Sequence, residues 1–183
     1  EDTQWNQTKI AQQIFNQLGE NDLLIEKTIQ QLYCSEMKTF LADRYVSGTC
    51  PHCNYENANG DQCDNCGKLL DPLELINPFC KINPKYNLEK RTTDHLYLDL
   101  PKLQNKLKMW FQENCNEWSK TAIGITGSWL NDDLEPRCIT RDLNWGTPVP
   151  NTDKYGDKYK DKVFYVWFDA PIGYISITSN YTD

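Results

Sequence analysis

Four cysteines stand in two Cys-x-x-Cys pairs, Cys50-Pro51-His52-Cys53 and Cys63-Asp64-Asn65-Cys66, with nine residues between them. Pairs of this kind can fold back so that four thiolates converge on one tetrahedral ion, the ligand set that suits Zn²⁺. The residue after each pair usually has to turn the backbone left-handed. Asn54 and Gly67 occupy those places, and both types adopt positive φ cheaply. Asn59-Gly60, between the pairs, reads as a hairpin turn. Two disulfides or four unrelated thiols are the alternatives. The doubled spacing with turn residues in place favours one metal site. Four Cys ligands leave no open coordination position, so such a site is a staple and not a catalyst. His52 lies inside the first knuckle but meets a filled shell, and reads as solvated. Cys34 and Cys80 each open a would-be pair, Cys34-Ser35-Glu36-Met37 and Cys80-Lys81-Ile82-Asn83, whose second thiol is missing. They read as buried free cysteines. Cys115 and Cys138 have no partner at metal spacing and read as structural.

A second group with chemical potential lies near the end of the chain. Val163 to Phe168 is a continuous apolar run, as in a strand buried on both faces of a parallel sheet. Asp169-Ala170-Pro171 follows at once, a sharp turn into a helix with Asp169 as N-cap and Pro171 near the start. Ligands of open α/β sheets bind beyond the carboxyl ends of strands. Trp167, Ala170, Pro171 and Tyr174 stand at that turn. Two rings framing two small residues would make a flat apolar slot. Upstream, Arg141 offers a guanidinium, whose plain reading is a surface arginine or an ion pair beside Asp142.

The elements that must position these groups follow from periodicity. Ile10, Ala11, Ile14, Phe15 and Leu18 form one stripe of a helix over Thr8–Leu18, stopped by Gly19. Leu23 to Tyr33 is rich in strand formers, and Phe40 to Val46 leads into the first knuckle as a strand. Asp71-Pro72-x-Glu74 reads as a short helical turn, broken by Pro78. His95 to Leu100 alternates as a strand. A helix follows Pro101 to about Asn114, with Leu103, Leu107, Trp110 and Phe111 on one face. Trp118 and Ile123 to Leu130 suggest further short helices. The aromatics of this region are assigned to the core. Asn151 to Asp161 is polar and reads as a surface loop.

The 183 residues make one large domain or two small ones. A hydrophobic share of 39%, with six Trp and ten Tyr, is enough for a packed core. A net charge of −7 argues against a general grip on nucleic acid. The knuckles themselves carry Glu56, Asp61 and Asp64, so any RNA contact would be local. Eight Cys, four of them in metal spacing, fit a reducing, cytoplasmic compartment. No apolar run is long enough for a membrane, and no targeting segment opens the chain. It starts on Glu1 and stops just past a helix-like stretch, and so reads as an internal piece of something longer.

Four collinear segments resemble the methionyl-tRNA synthetase family, a branch of the class I aminoacyl-tRNA synthetases. They are Phe40-Leu41-Ala42-Asp43-Arg44-Tyr45-Val46-x-Gly48-Thr49-Cys50-Pro51-x-Cys53, Gly60-Asp61-Gln62-Cys63-x-x-Cys66-Gly67, Ile139-Thr140-Arg141-Asp142-Leu143-x-Trp145-Gly146 and Tyr165-Val166-Trp167-Phe168-Asp169-Ala170-Pro171-Ile172-Gly173-Tyr174. The last of these is highly specific. The resemblance implies an α/β fold: a zinc-knuckle connective-peptide domain inserted in a Rossmann-type catalytic domain, of which only flanking parts are present. Residues 1–29 would end the first Rossmann half. Residues 30–138 would be the insertion, with its knuckle at 50–66, and residues 139–183 the returning Rossmann segment. It also implies one structural zinc on Cys50, Cys53, Cys63 and Cys66, where some members bind two. The enzyme makes methionyl-adenylate from methionine and ATP (with Mg), then transfers methionine to tRNA(Met). Trp167, Ala170, Pro171 and Tyr174 would line the methionine pocket, and Arg141 would act at the reacting phosphate and carboxylate. The family's His-x-Gly-His and Lys-Met-Ser-Lys-Ser motifs are absent from these residues, so the fragment alone is expected to be inactive.

Overall fold

The computed structural model describes residues 3–182, with side chains from Asn6 onward. The chain forms a mixed α/β structure of two compact units, one of residues up to Lys27 and from His95 onward, the other Thr28–Asp94. Two long strands, β1 (Leu24–Cys34) and β6 (Leu88–Leu98), carry the chain across that boundary. They are neighbours in a four-stranded sheet of order β2-β1-β6-β7, with β2 at Thr39–Phe40 and β7 at Arg137–Cys138.

In the first unit the opening helix α1 (Thr3–Glu20) buries Ala11 and Phe15, with Ile10, Ile14 and Leu18 packed beside them. Those are the expected stripe positions. Gly19 does not stop this helix. The chain reverses at Asp22, which takes φ +54°, and the Leu23 N–H closes the turn on the Leu18 carbonyl at 3.0 Å. Phe15 meets Tyr155 edge-on at 5.6 Å and Phe164 at 5.3 Å. The segment read as a surface loop therefore anchors the core: Tyr155 and Tyr159 are both buried. They lie four residues apart around a 3-10 turn at Asp157–Tyr159, so both rings reach one side while the charged residues between them face water.

The apolar run Val163 to Phe168 also departs from expectation. Only Val163–Phe164 is extended, as β9, paired antiparallel to β8 (Thr140–Arg141). Helix α4 (Val166–Thr182) begins two residues later. Unbroken hydrophobicity thus marks a two-residue strand joined to a helix, not a strand in a parallel sheet. Asp169 lies in the first turn of α4 and not at its N-cap. Its Oδ2 accepts from Thr147 Oγ1 at 3.0 Å. Pro171 falls inside the helix and brings no N–H, so the Trp167 carbonyl loses its usual intrahelical donor. Gln7 of α1 braces this stretch, donating to the Asp169 carbonyl at 2.7 Å and accepting from Ser176 Oγ at 2.6 Å.

Helices α2 (Leu100–Asn114) and α3 (Lys120–Asn131) follow β6. Ser119 caps α3 by accepting from the Ala122 N–H at 3.2 Å. Their aromatics were expected in the core, yet Trp110 is 51% and Trp129 64% exposed. Trp118 instead gathers Trp110 and Phe111 edge-on, at 5.7 and 5.6 Å, into a small cluster of its own. Helical periodicity named the stripe correctly but could not say how deeply it is covered.

In the second unit, β3 (Val46–Thr49) lies between β4 (Ala58–Asn59) and β5 (Ile76–Cys80), both antiparallel to it. A 3-10 turn at Asp43–Tyr45 interrupts the strand expected over Phe40–Val46. Asp71 and Glu74 do form a reciprocal turn. The Leu73 N–H donates to Asp71 Oδ1 at 2.8 Å and the Asp71 N–H to Glu74 Oε2 at 3.4 Å, but no helix grows from it. Cys34 and Cys80 are buried in this unit's core with Leu32, Val46 and Leu75.

Asn59-Gly60 is not a hairpin turn, since neither residue has positive φ. Gly60 is there for room. A Cβ on it would stand 2.6 Å from the Asp43 carbonyl oxygen, and its N–H donates to the Val46 carbonyl at 3.1 Å. Gly60→Ala is expected to destabilise this unit by about 1–3 kcal/mol. The readout is a lower urea midpoint at unchanged slope; an unchanged midpoint would refute the close-approach account.

Candidate metal centre and the segment around Arg141 and Trp167

Both knuckles are built by the same pair of backbone bonds. The Cys50 N–H donates to the Tyr55 carbonyl at 2.9 Å and the Asn54 N–H to the Cys50 carbonyl at 3.0 Å. In the second, the Cys63 N–H donates to Lys68 at 2.9 Å and the Gly67 N–H to Cys63 at 2.8 Å. Asn54 at φ +59° and Gly67 at φ +72° supply the left-handed turns. The four sulfurs then lie within 4.8 Å of one another. Across the knuckles Cys50 Sγ is 3.9 Å from Cys66 Sγ, and Cys53 Sγ 3.6 Å from Cys63 Sγ. Metal–sulfur bonds of about 2.3 Å give a tetrahedron with edges of about 3.8 Å. A disulfide would bring two sulfurs to about 2.05 Å, and all four are free thiols. The residues fit a tetrathiolate metal site.

The local electrostatics agree. The Asn65 side chain donates to Cys53 Sγ at 3.5 Å. That bond and the Tyr55 backbone pull the Cys53 thiol down to about 6. The Lys68 backbone draws Cys66 the same way, but desolvation and the sulfurs of Cys63, Cys53 and Cys50 outweigh it and push Cys66 up to about 11. Cys53 ionises readily and Cys66 resists. A cation among the sulfurs removes that resistance, because coordinated thiols ionise outright. His52 is exposed and takes no side-chain part.

The residues expected to line an apolar slot share one face of α4. Trp167, Ala170, Pro171 and Tyr174 follow the helical i, i+3, i+4, i+7 spacing. The face is open rather than enclosed: Trp167 is 76% and Tyr174 80% exposed, and Ala170 and Pro171 are exposed as well. Arg141 sits close by on β8. Its guanidinium lies 3.6 Å from the Tyr165 ring centroid. Its Nη1 donates to Cys138 Sγ and to the Thr140 carbonyl, each at 3.1 Å. Burial and the Cys138 sulfur push the nearby Tyr97 hydroxyl up to about 12.

Asp142, the next residue, belongs to a buried polar network that sequence reasoning missed. Lys162 Nζ binds Asp142 Oδ1. His95, wholly buried, faces Asp142 Oδ2 through Nε2 at 3.1 Å and Thr140 Oγ1 through Nδ1 at 2.9 Å. Thr140 Oγ1 also accepts the Leu96 N–H at 3.1 Å. Because Thr140 Oγ1 already accepts from Leu96, its hydroxyl proton goes to Nδ1 and the ring proton to Nε2, which lies within ion-pair distance of the carboxylate but makes no hydrogen bond to it. The available signal was His95 at an inward position of an alternating strand. Lys162, beside the apolar run, gave none.

Breaking a buried pair from one side leaves an uncompensated charge and costs about 3–5 kcal/mol, whereas replacing both partners with apolar residues is often neutral. Lys162→Met is expected to destabilise by about 3 kcal/mol or more, and Lys162→Met with Asp142→Leu to recover a good part of the loss. Denaturant titration measures both. A double variant weaker than the single one would overturn this account.

The profile of the family described as "tRNA synthetases class I (M)" matches residues 1–183. The chain is similar to the cytoplasmic methionine–tRNA ligase of Saccharomyces cerevisiae, 56% identical over 178 residues, which are 96% of this chain and 23% of that protein. It is similar to the cytoplasmic methionine–tRNA ligase of Homo sapiens, 52% identical over 179 residues, which are 97% of this chain and 19% of that protein. It therefore spans about a quarter or less of the length of the curated relatives it matches. Among solved structures, the apo form of Mycobacterium tuberculosis methionyl-tRNA synthetase superposes at a TM-score of 0.55 and 15% identity, covering 96% of this chain and 29% of that one. The same enzyme bound by methionyl-adenylate gives 0.54 at 14% identity, covering 93% and 28%. These last two are likenesses of fold.

Proposed function

Because the chain belongs to the class I tRNA synthetase (M) family, we propose that it is the metal-stapled and pocket-bearing part of a methionine–tRNA ligase. The observation that carries this reading is the match over the whole chain by a family whose relatives bear that activity in their names. The sulfur tetrahedron supports it independently. In this reading residues 30–138 are the connective-peptide insertion, residues 1–29 the end of the first Rossmann half and residues 139–183 the returning segment. The enzyme works in the cytoplasm, as the names of its relatives say of them.

Cys50, Cys53, Cys63 and Cys66 hold one zinc ion. The closed shell gives it no substrate position, so its contribution is folding energy. Trp167, Ala170, Pro171 and Tyr174 form one wall of the methionine pocket. The wall is apolar and aromatic, which suits a polarizable thioether at about 0.3–1.5 kcal/mol per contact. Its open face is where the rest of a pocket would close. Arg141 stands beside it with a planar, permanently charged group. When the methionine carboxylate attacks the α-phosphate of ATP and pyrophosphate leaves, that guanidinium stabilises the charge that develops. Methionyl-adenylate forms and passes methionine to the 3′-terminal adenosine of tRNA(Met), with AMP as the leaving group. The chain's negative charge gives no broad grip on RNA, so any contact with tRNA here is local.

Two measurements test this. Mass spectrometry under native conditions is expected to find one zinc per chain. Cys63→Ser or chelation should release it and melt residues around 45–80; full stability and retained zinc in Cys63→Ser would sink the staple. The full-length protein is expected to catalyse methionine-dependent pyrophosphate exchange with ATP, and the isolated 183 residues not to. Arg141→Ala in the full-length protein should lower kcat by about a hundredfold or more. Exchange by the isolated chain, or an unaffected Arg141→Ala, would contradict the proposal.

A further inference from the structure

We propose that Tyr165 is a positioning residue that couples Arg141 to Trp167, setting the charge-stabilising group and the pocket wall from one side chain. This rests on the roles given to Arg141 and Trp167 above. Tyr165 makes two separate contacts. The Arg141 guanidinium lies over the Tyr165 ring at 3.6 Å from its centroid. The Trp167 indole Nε1 donates to the Tyr165 hydroxyl at 3.1 Å. The ring face thus holds the cation, and the ring's polar tip holds the indole.

The backbone of Tyr165 is itself well tied. Its N–H donates to the Ile139 carbonyl at 2.8 Å, beside the β8–β9 pair. Its carbonyl accepts from the Phe168 and Asp169 N–H groups at 2.7 and 3.3 Å, starting α4. Tyr165 is the one residue between β9 and α4. Arg141 is referenced to the strand on one side of it and Trp167 to the helix on the other. Trp167 is mostly exposed, so packing alone leaves its rotamer free, and the hydrogen bond to Tyr165 selects one orientation. Arg141 is held on its other edge by Cys138 Sγ and the Thr140 carbonyl. Stacking on Tyr165 fixes the remaining freedom, the tilt of the guanidinium plane. A preorganised donor stabilises developing charge without reorganising at the moment of reaction, and a misplacement of about 1 Å can cost on the order of a hundredfold in rate.

The test uses pyrophosphate exchange by the full-length protein with methionine and ATP varied. Tyr165→Phe keeps the ring face and deletes the hydroxyl. It is expected to raise the methionine KM about three- to tenfold, since only the indole loses its partner, with kcat within about twofold. Tyr165→Leu removes both contacts and should also lower kcat about tenfold or more. A merely structural role would not split the two constants in this way. Because Tyr165→Leu alters packing, Trp167→Phe is added alone and with Tyr165→Phe to complete a cycle of conservative changes. Non-additive effects on the methionine KM are expected. Additive effects, or a wild-type KM in Tyr165→Phe, overturn the proposal while leaving Arg141 and Trp167 in their roles. A wild type without methionine-dependent exchange overturns the underlying reading, and this inference with it.

Discussion

Four sulfur atoms within 4.8 Å of one another cannot all carry charge unless a cation stands between them. Much of the Thr28–Asp94 unit follows from that constraint. Its regular structure is sparse, with strands of two to five residues around the knuckles. Cys50 and Cys63 count among its core residues, beside Val46, Ala58 and Leu75. A core this small, with four cysteines among its nine buried residues, gains little from hydrophobic burial alone, and small lobes of this kind commonly draw folding energy from metal ligation. The repeated backbone bonds of the two knuckles show how the chain aims its sulfurs: each turn closes on itself, and only then do the pairs meet.

The other unit solves its problem differently. Its centre is aromatic, with Phe15, Tyr155, Tyr159 and Phe164 packed around α1. Beside them it buries His95 and Lys162 against Asp142. Such a cluster costs solvation energy to assemble and is strongly specific in geometry. Thr140, between β6 and β9, serves both the Leu96 N–H and the His95 ring. The short strand that carries Arg141 is therefore placed by side-chain bonds as much as by its two-residue ladder. Side chains alternate along a strand. Thr140 and Asp142 enter this network, while Arg141 reaches the Tyr165 ring.

The α4 face has the opposite character. Trp167, Tyr174, Ile175, Ile177 and Tyr181 are all exposed, while Ile172 and Ser176 turn inward toward the unit's core and Gln7. Hydrophobic residues on both sides of a helix make the periodicity weak, which is why the segment can pass for a buried strand. The proposed pocket role gives the exposed side a use: an apolar wall is wanted where a thioether must be held by dispersion and aromatic edges.

What the chain determines on its own is local and chemical. The ligand spacing and left-handed turn residues around Cys50, Cys53, Cys63 and Cys66 needed no fold to be legible, since a knuckle is closed by bonds within about six residues. The α1 stripe and the α2 helix were legible for the same reason, as 3.6-residue periodicity is written into neighbouring positions. Tertiary structure alone decided how deep each residue lies and what it meets at long range. Tyr155 and Tyr159 look like loop residues until Phe15 comes to rest beside them. Gly60 looks like a turn glycine until the Asp43 carbonyl fills the space where its Cβ would be. His95, Asp142 and Lys162 become a network only when three separate segments converge. Burial and charge pairing depend on distances between remote parts of the chain, and a linear order of residues carries no such distances.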